Sequence, residues 1–249
     1  MKVIEYFNLP KLASQNRRIP LQTLVDVHEL NKSEELLLRD HIQSIYLMGV
    51  LNEQTVHLKA QQDENMFYEE IQILSVNLKD NKKVQTLDEA LHSYFPNPTI
   101  IVYQFQFKFM FSTALKHLHQ SIEERSVVDE RYTSYFSDLV DEESLYFLNT
   151  LNLKDIKIKN LKDLYNRYSQ LIYQQRLIKI TGIYPRNDIE PKILKIKLSQ
   201  FEQLQAKLNT LKEEAKSSKM MRSKMENHMH QKKIVDEIKQ ITKSLKEVS

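Results

Sequence analysis

The sequence predicts an α+β fold: a mixed, mainly antiparallel sheet packed with helices, followed by a C-terminal helical hairpin or a coiled-coil-like long helix. Three observations predict it. Runs dense in Ile, Val, Tyr and Phe at strand spacing share the stretch from Thr55 to Leu115 with a single helical segment. Gly182, Pro185 and Pro191 then break the chain. After Asn187 there is no Gly, and apolar residues recur at helical spacing almost to Ser249. The expected organisation is a globular body, 1–186, and a helical extension, 187–249.

In order, Lys2 to Tyr6 is a short apolar start, and the segment bounded by Pro10 and Pro20 reads as an arm or loop carrying Arg17 and Arg18. Ser33 followed by Glu34 and Glu35 opens a helix expected to run through Ile42, Ile45 and Tyr46 to Met48, with Gly49 ending it. Thr55 to Leu58 reads as a short strand. Phe67 to Leu78 reads as a longer one, apolar on both faces and therefore central. A helix from Leu87 to Phe95, with Thr86 as cap, ends before Asn97-Pro98. Thr99 to Gln106 and Lys108 to Leu115 form a hairpin, and the alternation of Tyr103, Phe105, Phe107, Phe109 and Phe111 places all five rings on one face, where helices pack. Tyr132 to Phe136 reads as a further strand, Asp141 to Glu143 as an acidic helix start, and Leu161 to Ile180 as an amphipathic helix.

Composition narrows the chemistry. The 249 residues include only two glycines, Gly49 and Gly182, which excludes the Gly-rich loops that cradle phosphates or dinucleotides. No Cys is present, so thiolate catalysis, disulfides and Cys-ligated metals are excluded, and a cytoplasmic setting is expected. Met1 to Asn8 holds no apolar run of signal-peptide length, and no membrane span is expected. His117 and His119 with Glu123 or Glu124, and the methionines Met220, Met221, Met225 and Met229 with His228 and His230, are weighed as metal sites. The first lacks a third ligand at defined spacing and the second reads as adaptable packing at a helix contact, so no metal or cofactor is expected.

Charge is uneven. From Asn187 onward there are 14 Lys and Arg against 9 Asp and Glu, a net of +5, whereas Met1 to Arg186 has 22 against 24, a net of −2. The apolar stripe runs Leu194, Leu198, Phe201, Leu204, Leu208, Leu211, Ala215, and falls out of phase with Ile234, Ile238, Ile241 and Leu245. A phase break beside Lys216 to Lys219 favours two antiparallel helices over one continuous helix. The residues expected to meet a nucleic acid or a protein partner are Arg17, Arg18, Lys216, Lys219, Arg222, Lys224, Lys232 and Lys233.

Several segments carry a resemblance: Asn16-Arg17-Arg18-Ile19-Pro20, Ile42 to Val56 (IQSIYLMGVLNEQTV), Glu70 to Leu78 (EIQILSVNL), Thr99 to Tyr103, and Lys219 to Ile238 in the tail. In this order, over nearly the whole chain, the sequence resembles an uncharacterised bacterial family, domain of unknown function 4391 (DUF4391). It departs from that family at Met221, Met225 and His228, where aromatic and Arg residues are usual. The resemblance implies an accessory subunit encoded beside helicases and DNA methyltransferases of restriction-like or anti-phage systems, and it brings no catalytic residues. The expected function is therefore a non-catalytic binding component with a helicase or methyltransferase partner and nucleic acid as a second target. The alternatives are self-association through the C-terminal helices and a divergent metal-dependent nuclease built on Glu69, Glu70 and Lys79. On one strand Glu70 and Lys79 are about 30 Å apart when fully extended, which is poor spacing for such a site.

Overall fold

The computed structural model describes residues 3–63, 66–118, 126–217 and 221–248. The chain divides into two compact units, Met1–Arg176 and Leu177–Ser249.

The first unit is built on one sheet in the order β1 (Ser14–Ile19), β2 (Ile42–Asn52), β5 (Glu70–Leu78), β6 (Thr99–Phe105), β7 (Lys108–Leu118) and β8 (Ser126–Thr133), with β9 (Ser137–Asp138) also pairing with β7. A separate ribbon pairs β3 (Gln61–Gln62) with β4 (Phe67–Tyr68). Every pairing in the main sheet is antiparallel except β5–β6, which the helix α4 (Val84–Tyr94) connects. Parallel neighbours need such a crossover, because a tight turn cannot reverse the chain twice. As expected from its two-sided apolar pattern, β5 is central and flanked by β2 and β6.

Two cores follow from the alternation of side chains. On one face Ile45 and Leu47 of β2, Leu74 and Val76 of β5, Tyr103 of β6 and Met110 of β7 pack with Leu24 of α1 (Leu21–Val27), Leu38 of α2 (Lys32–His41) and Leu87 and Leu91 of α4. On the other, Phe109 and Phe111 join an aromatic cluster: Phe111 meets Phe147 of α5 (Glu142–Thr150) edge-on at 5.5 Å, and Phe7 meets Tyr168 of α6 (Leu161–Gln174) at 5.3 Å. The five aromatics of the β6–β7 hairpin therefore do not share a face. Gln106 takes a left-handed φ of 55° in the turn, Tyr103 lies opposite Met110, and Phe107 at the tip is 84% exposed. The turn inverts the alternation, so two rings go to each core and one to solvent.

Four further expectations are corrected. The helix opened near Ser33 stops at His41, and the segment from Ile42 to Met48 is the start of strand β2. Gly49 is not a helix cap. It lies within β2 where a Cβ would fall 2.6 Å from Leu9 Cδ1 and 3.4 Å from the Ala13 carbonyl, so its lack of a side chain admits the N-terminal segment. The segment beginning at Thr55 is not a strand: Asn52 caps a short helix, α3 (Glu53–Val56), by accepting from the Gln54 and Thr55 amides. The supposed arm around Arg17 and Arg18 is the edge strand β1.

In the second unit, α7 (Arg176–Thr181) ends at Gly182, whose φ is 83°. It is followed by the long helices α8 (Pro191–Ser217) and α9 (Met221–Val248). Lys197 Nζ donates to Ser244 Oγ at 2.8 Å and Gln231 Nε2 to the Leu211 carbonyl at 3.1 Å, so the helices run antiparallel as a hairpin. Leu208, Ile234 and Leu245 are buried.

Candidate functional site

Four places hold the polar chemistry. The first is the hairpin. Its two helices carry 13 Lys and Arg against 7 Asp and Glu, a net of +6. Some cations are matched along their own helix, Lys216 with Glu213 at 2.8 Å and Lys239 with Asp236 at 3.3 Å. Such exposed pairs hold a side chain weakly and leave its charge available. Lys232 and Lys233 stand exposed on α9. Lys219 lies outside the described residues, and of Arg222 and Lys224 only the helical backbone is described. Arg17 and Arg18 belong to the other unit, on consecutive and therefore opposite-facing positions of β1, level with Leu47 and Tyr46.

The second is a cleft of about 810 Å³ between α2 and the start of α4, walled by Leu36, Leu37 and Val84 and edged by Glu34, Asp40, His41, Lys82 and Lys83. His41 Nδ1 lies 2.9 Å from Asp80, and the Lys82 backbone amide with that histidine holds the Asp80 carboxyl below the usual range. Acidic and basic edges balance, so the cleft has no charge preference of its own.

The third is buried. Asp88 and His92, four residues apart on α4, face Tyr103, Ser112, Lys116 and Arg131 on three strands. Tyr103 donates to Asp88 at 3.0 Å and Arg131 Nη1 lies 3.3 Å from it. Burial raises the Asp88 carboxyl against the pull of Ser112 and Arg131, and burial also lowers His92 well below the ordinary histidine value. An Asp, a His and a Ser in contact invite comparison with a hydrolase triad. The geometry excludes it: Ser112 Oγ at 2.9 Å and Asp88 Oδ1 at 3.5 Å approach the same nitrogen, His92 Nε2, while Nδ1 is without a partner. Lys116 Nζ instead donates to the His92 and Phe95 carbonyls at the end of α4, and Ser126 Oγ to that of His92. This network fastens α4 to the sheet. Its only sequence signal was the Asp-x-x-x-His spacing on a predicted helix, too common to single out.

The fourth is the constellation weighed for a nuclease. Glu70 accepts from Gln72 and Asn97 at 2.7 Å each at one end of β5, while Lys79 beyond the other end donates to the Arg39 carbonyl at 2.6 Å. The strand keeps them apart. His117 lies 3.0 Å from Asp129 across β7–β8, and its expected companions His119, Glu123 and Glu124 lie outside the described residues, as does Met220. Met225 and Met229 are 62% and 63% exposed on α9. Asp141 caps α5 through the Ser144 amide, as an acidic helix start should. Among the described residues no three His, Asp or Glu side chains group as metal ligands, and no helix is long and apolar enough to cross a membrane.

The family model of DUF4391, a domain of unknown function, matches residues 7–241. The chain belongs to the DUF4391 family. The match takes in the whole sheet and most of the hairpin, so a DUF4391 domain comprises both units. Searches of curated proteins and of solved structures gave no match to this DUF4391 chain.

Proposed function

We propose that this DUF4391 protein is a non-catalytic accessory subunit of a bacterial anti-phage or restriction-like complex, binding a helicase or DNA methyltransferase partner and DNA through its basic helical hairpin. The observation that carries the reading is the +6 charge gathered on α8 and α9 while the rest of the chain is slightly acidic. Exposed lysines on a stiff helical surface bind a phosphate backbone through counterion release, without needing a pocket. The sealed polar network beneath α4 and the separation of Glu70 from Lys79 leave binding as the better account.

The test is DNA binding by fluorescence anisotropy across a salt series, beside co-purification from cells expressing the neighbouring genes. Replacing Lys216, Lys232 and Lys233 by Glu should weaken DNA binding and flatten its salt dependence, by about 0.9 in the logarithmic slope for each phosphate no longer neutralised. Unchanged affinity and slope would overturn the DNA part of the reading. Recovery of the chain alone from such cells would overturn the subunit part.

A further inference from the structure

The hairpin has one face unlike the rest. On α8, Ile193, Ile196, Gln200, Leu204 and Lys207 follow at steps of three or four, and on α9, Met229, Lys233, Glu237 and Ile241 follow at steps of four. A groove of about 490 Å³ with Leu204 and Lys207 on one wall and Glu237 and Ile241 on the other joins the two rows into a single face. Ile193 and Ile196 are 42% and 58% exposed there, and Met229 is 63% exposed. Lys207, Lys233 and Glu237 give these rows a net charge of +1, out of the +6 of the two helices. The remaining +5 of the two helices lies off these rows, so a face carrying most of it would repel a copy of itself, and this one would not.

We propose that this face is covered by the same face of a second copy of the chain, forming a four-helix bundle whose two-fold axis runs along the hairpin. Such an axis lays α8 of one copy on α9 of the other at the same level. The Lys197–Ser244 and Leu211–Gln231 hydrogen bonds set the levels: Lys207 lies within a turn of Glu237, Leu204 within a turn of Ile241, and Met229 within a turn of Leu211 and Ala215. Across the axis each therefore meets its complement from the second copy: Lys207 meets Glu237, Leu204 meets Ile241, and the methionine meets two small or aliphatic side chains. The charge pairing singles out this arrangement, because an axis perpendicular to the hairpin would set Lys207 near Lys207 and Glu237 near Glu237. Two helices side by side, about 40 Å long and 20 Å wide, offer about 800 Å² per copy, the size of a standard specific interface.

Light scattering on the full chain at micromolar concentration should give twice its mass of 29.7 kDa. Met229→Glu should give a monomer of unchanged thermal melting, because that side chain is largely exposed. Lys207→Glu and Glu237→Lys should each weaken the dimer about tenfold, and mixing the two variants should restore it, because the mixed pair sets opposite charges across the axis again. Lys232→Glu should lower DNA binding and leave the dimer intact, so a failure of the binding proposal and a failure of this one are told apart. A monomeric wild-type chain, a dimer indifferent to the Met229 substitution, or no recovery on mixing would each overturn it.

Discussion

Tyr165 fastens a helix to the sheet through one buried hydroxyl. Its buried hydroxyl accepts from the Ala114 amide at 3.0 Å and lies 2.9 Å from the Ala114 carbonyl and 3.1 Å from that of Thr99, tying α6 to two neighbouring regions of the sheet. Tyr165→Phe leaves these backbone groups unsatisfied at nearly constant volume, and should cost about 1–3 kcal/mol in urea-unfolding experiments. Gly49→Val should cost a similar amount, about 1–3 kcal/mol, because the branched side chain must displace Leu9 and press on the Ala13 backbone. Lys116 makes a prediction in pH. Burial pushes its ammonium down to about 7 from the ordinary 10.5, so the fold favours the neutral amine. That contribution is present above pH 10.5 and is lost as pH falls through about 7. Stability measured by urea midpoints should therefore rise between pH 7 and 9.5, and Lys116→Met should flatten the rise. Equal slopes in the two proteins would show the amine charged in the folded state.

Among the elements, the helices of the hairpin, α4, α6 and the strands β5, β6 and β7 were the most legible, and β1 and β2 the least. The hairpin, α6 and α4 announced themselves through apolar residues at three- and four-residue steps. Strand β2 did not, because Ile42, Ile45, Tyr46, Leu47, Met48, Val50 and Leu51 satisfy a helical and a strand period at once, and the strand wins only through pairing with β1 and β5. A turn can also reverse a face: the alternation through Phe107 predicted one aromatic row, and a single left-handed residue split it. Local capping decided two boundaries that periodicity misplaced. Asn31 accepts from the Ser33 and Glu34 amides while the Glu34 carboxylate accepts from the Asn31 amide at 2.9 Å, so α2 begins before the expected Ser33 cap. Asn31→Ala should destabilise the protein by about 1 kcal/mol, read as a lowered melting temperature. Of the candidate site, the basic tail was legible because charge is a sum over residues. The buried network was not, because its six members come from four elements that only the sheet order brings together.

At the scale of the molecule the chain separates its tasks. The sheet unit spends its ionisable groups on holding helices, through Asp88 with Arg131, His41 with Asp80 and Lys162 with Asp63, while the hairpin leaves most of its cations at the surface. Added salt should therefore loosen partner or DNA binding well before it alters the melting of the sheet unit, because a Debye length of about 8 Å at physiological ionic strength screens exposed charges and spares buried ones. Parallel salt series of circular-dichroism melts and anisotropy would check this, and a coincident loss of both would refute it. The edge of the sheet has its own significance for life in a crowded solution. An unpaired strand is a template on which neighbouring molecules can add strands, and β1 ends the sheet with its backbone open to water. Asn16, at φ 52°, breaks its register between Ser14 and Arg17, and two adjacent arginines give it a charge that repels its own kind. Replacing Arg17 and Arg18 by Val and Thr should leave the melting temperature nearly unchanged and raise turbidity on prolonged incubation. On that outcome, the two charges are what let the sheet stop at β1 instead of growing through its neighbours.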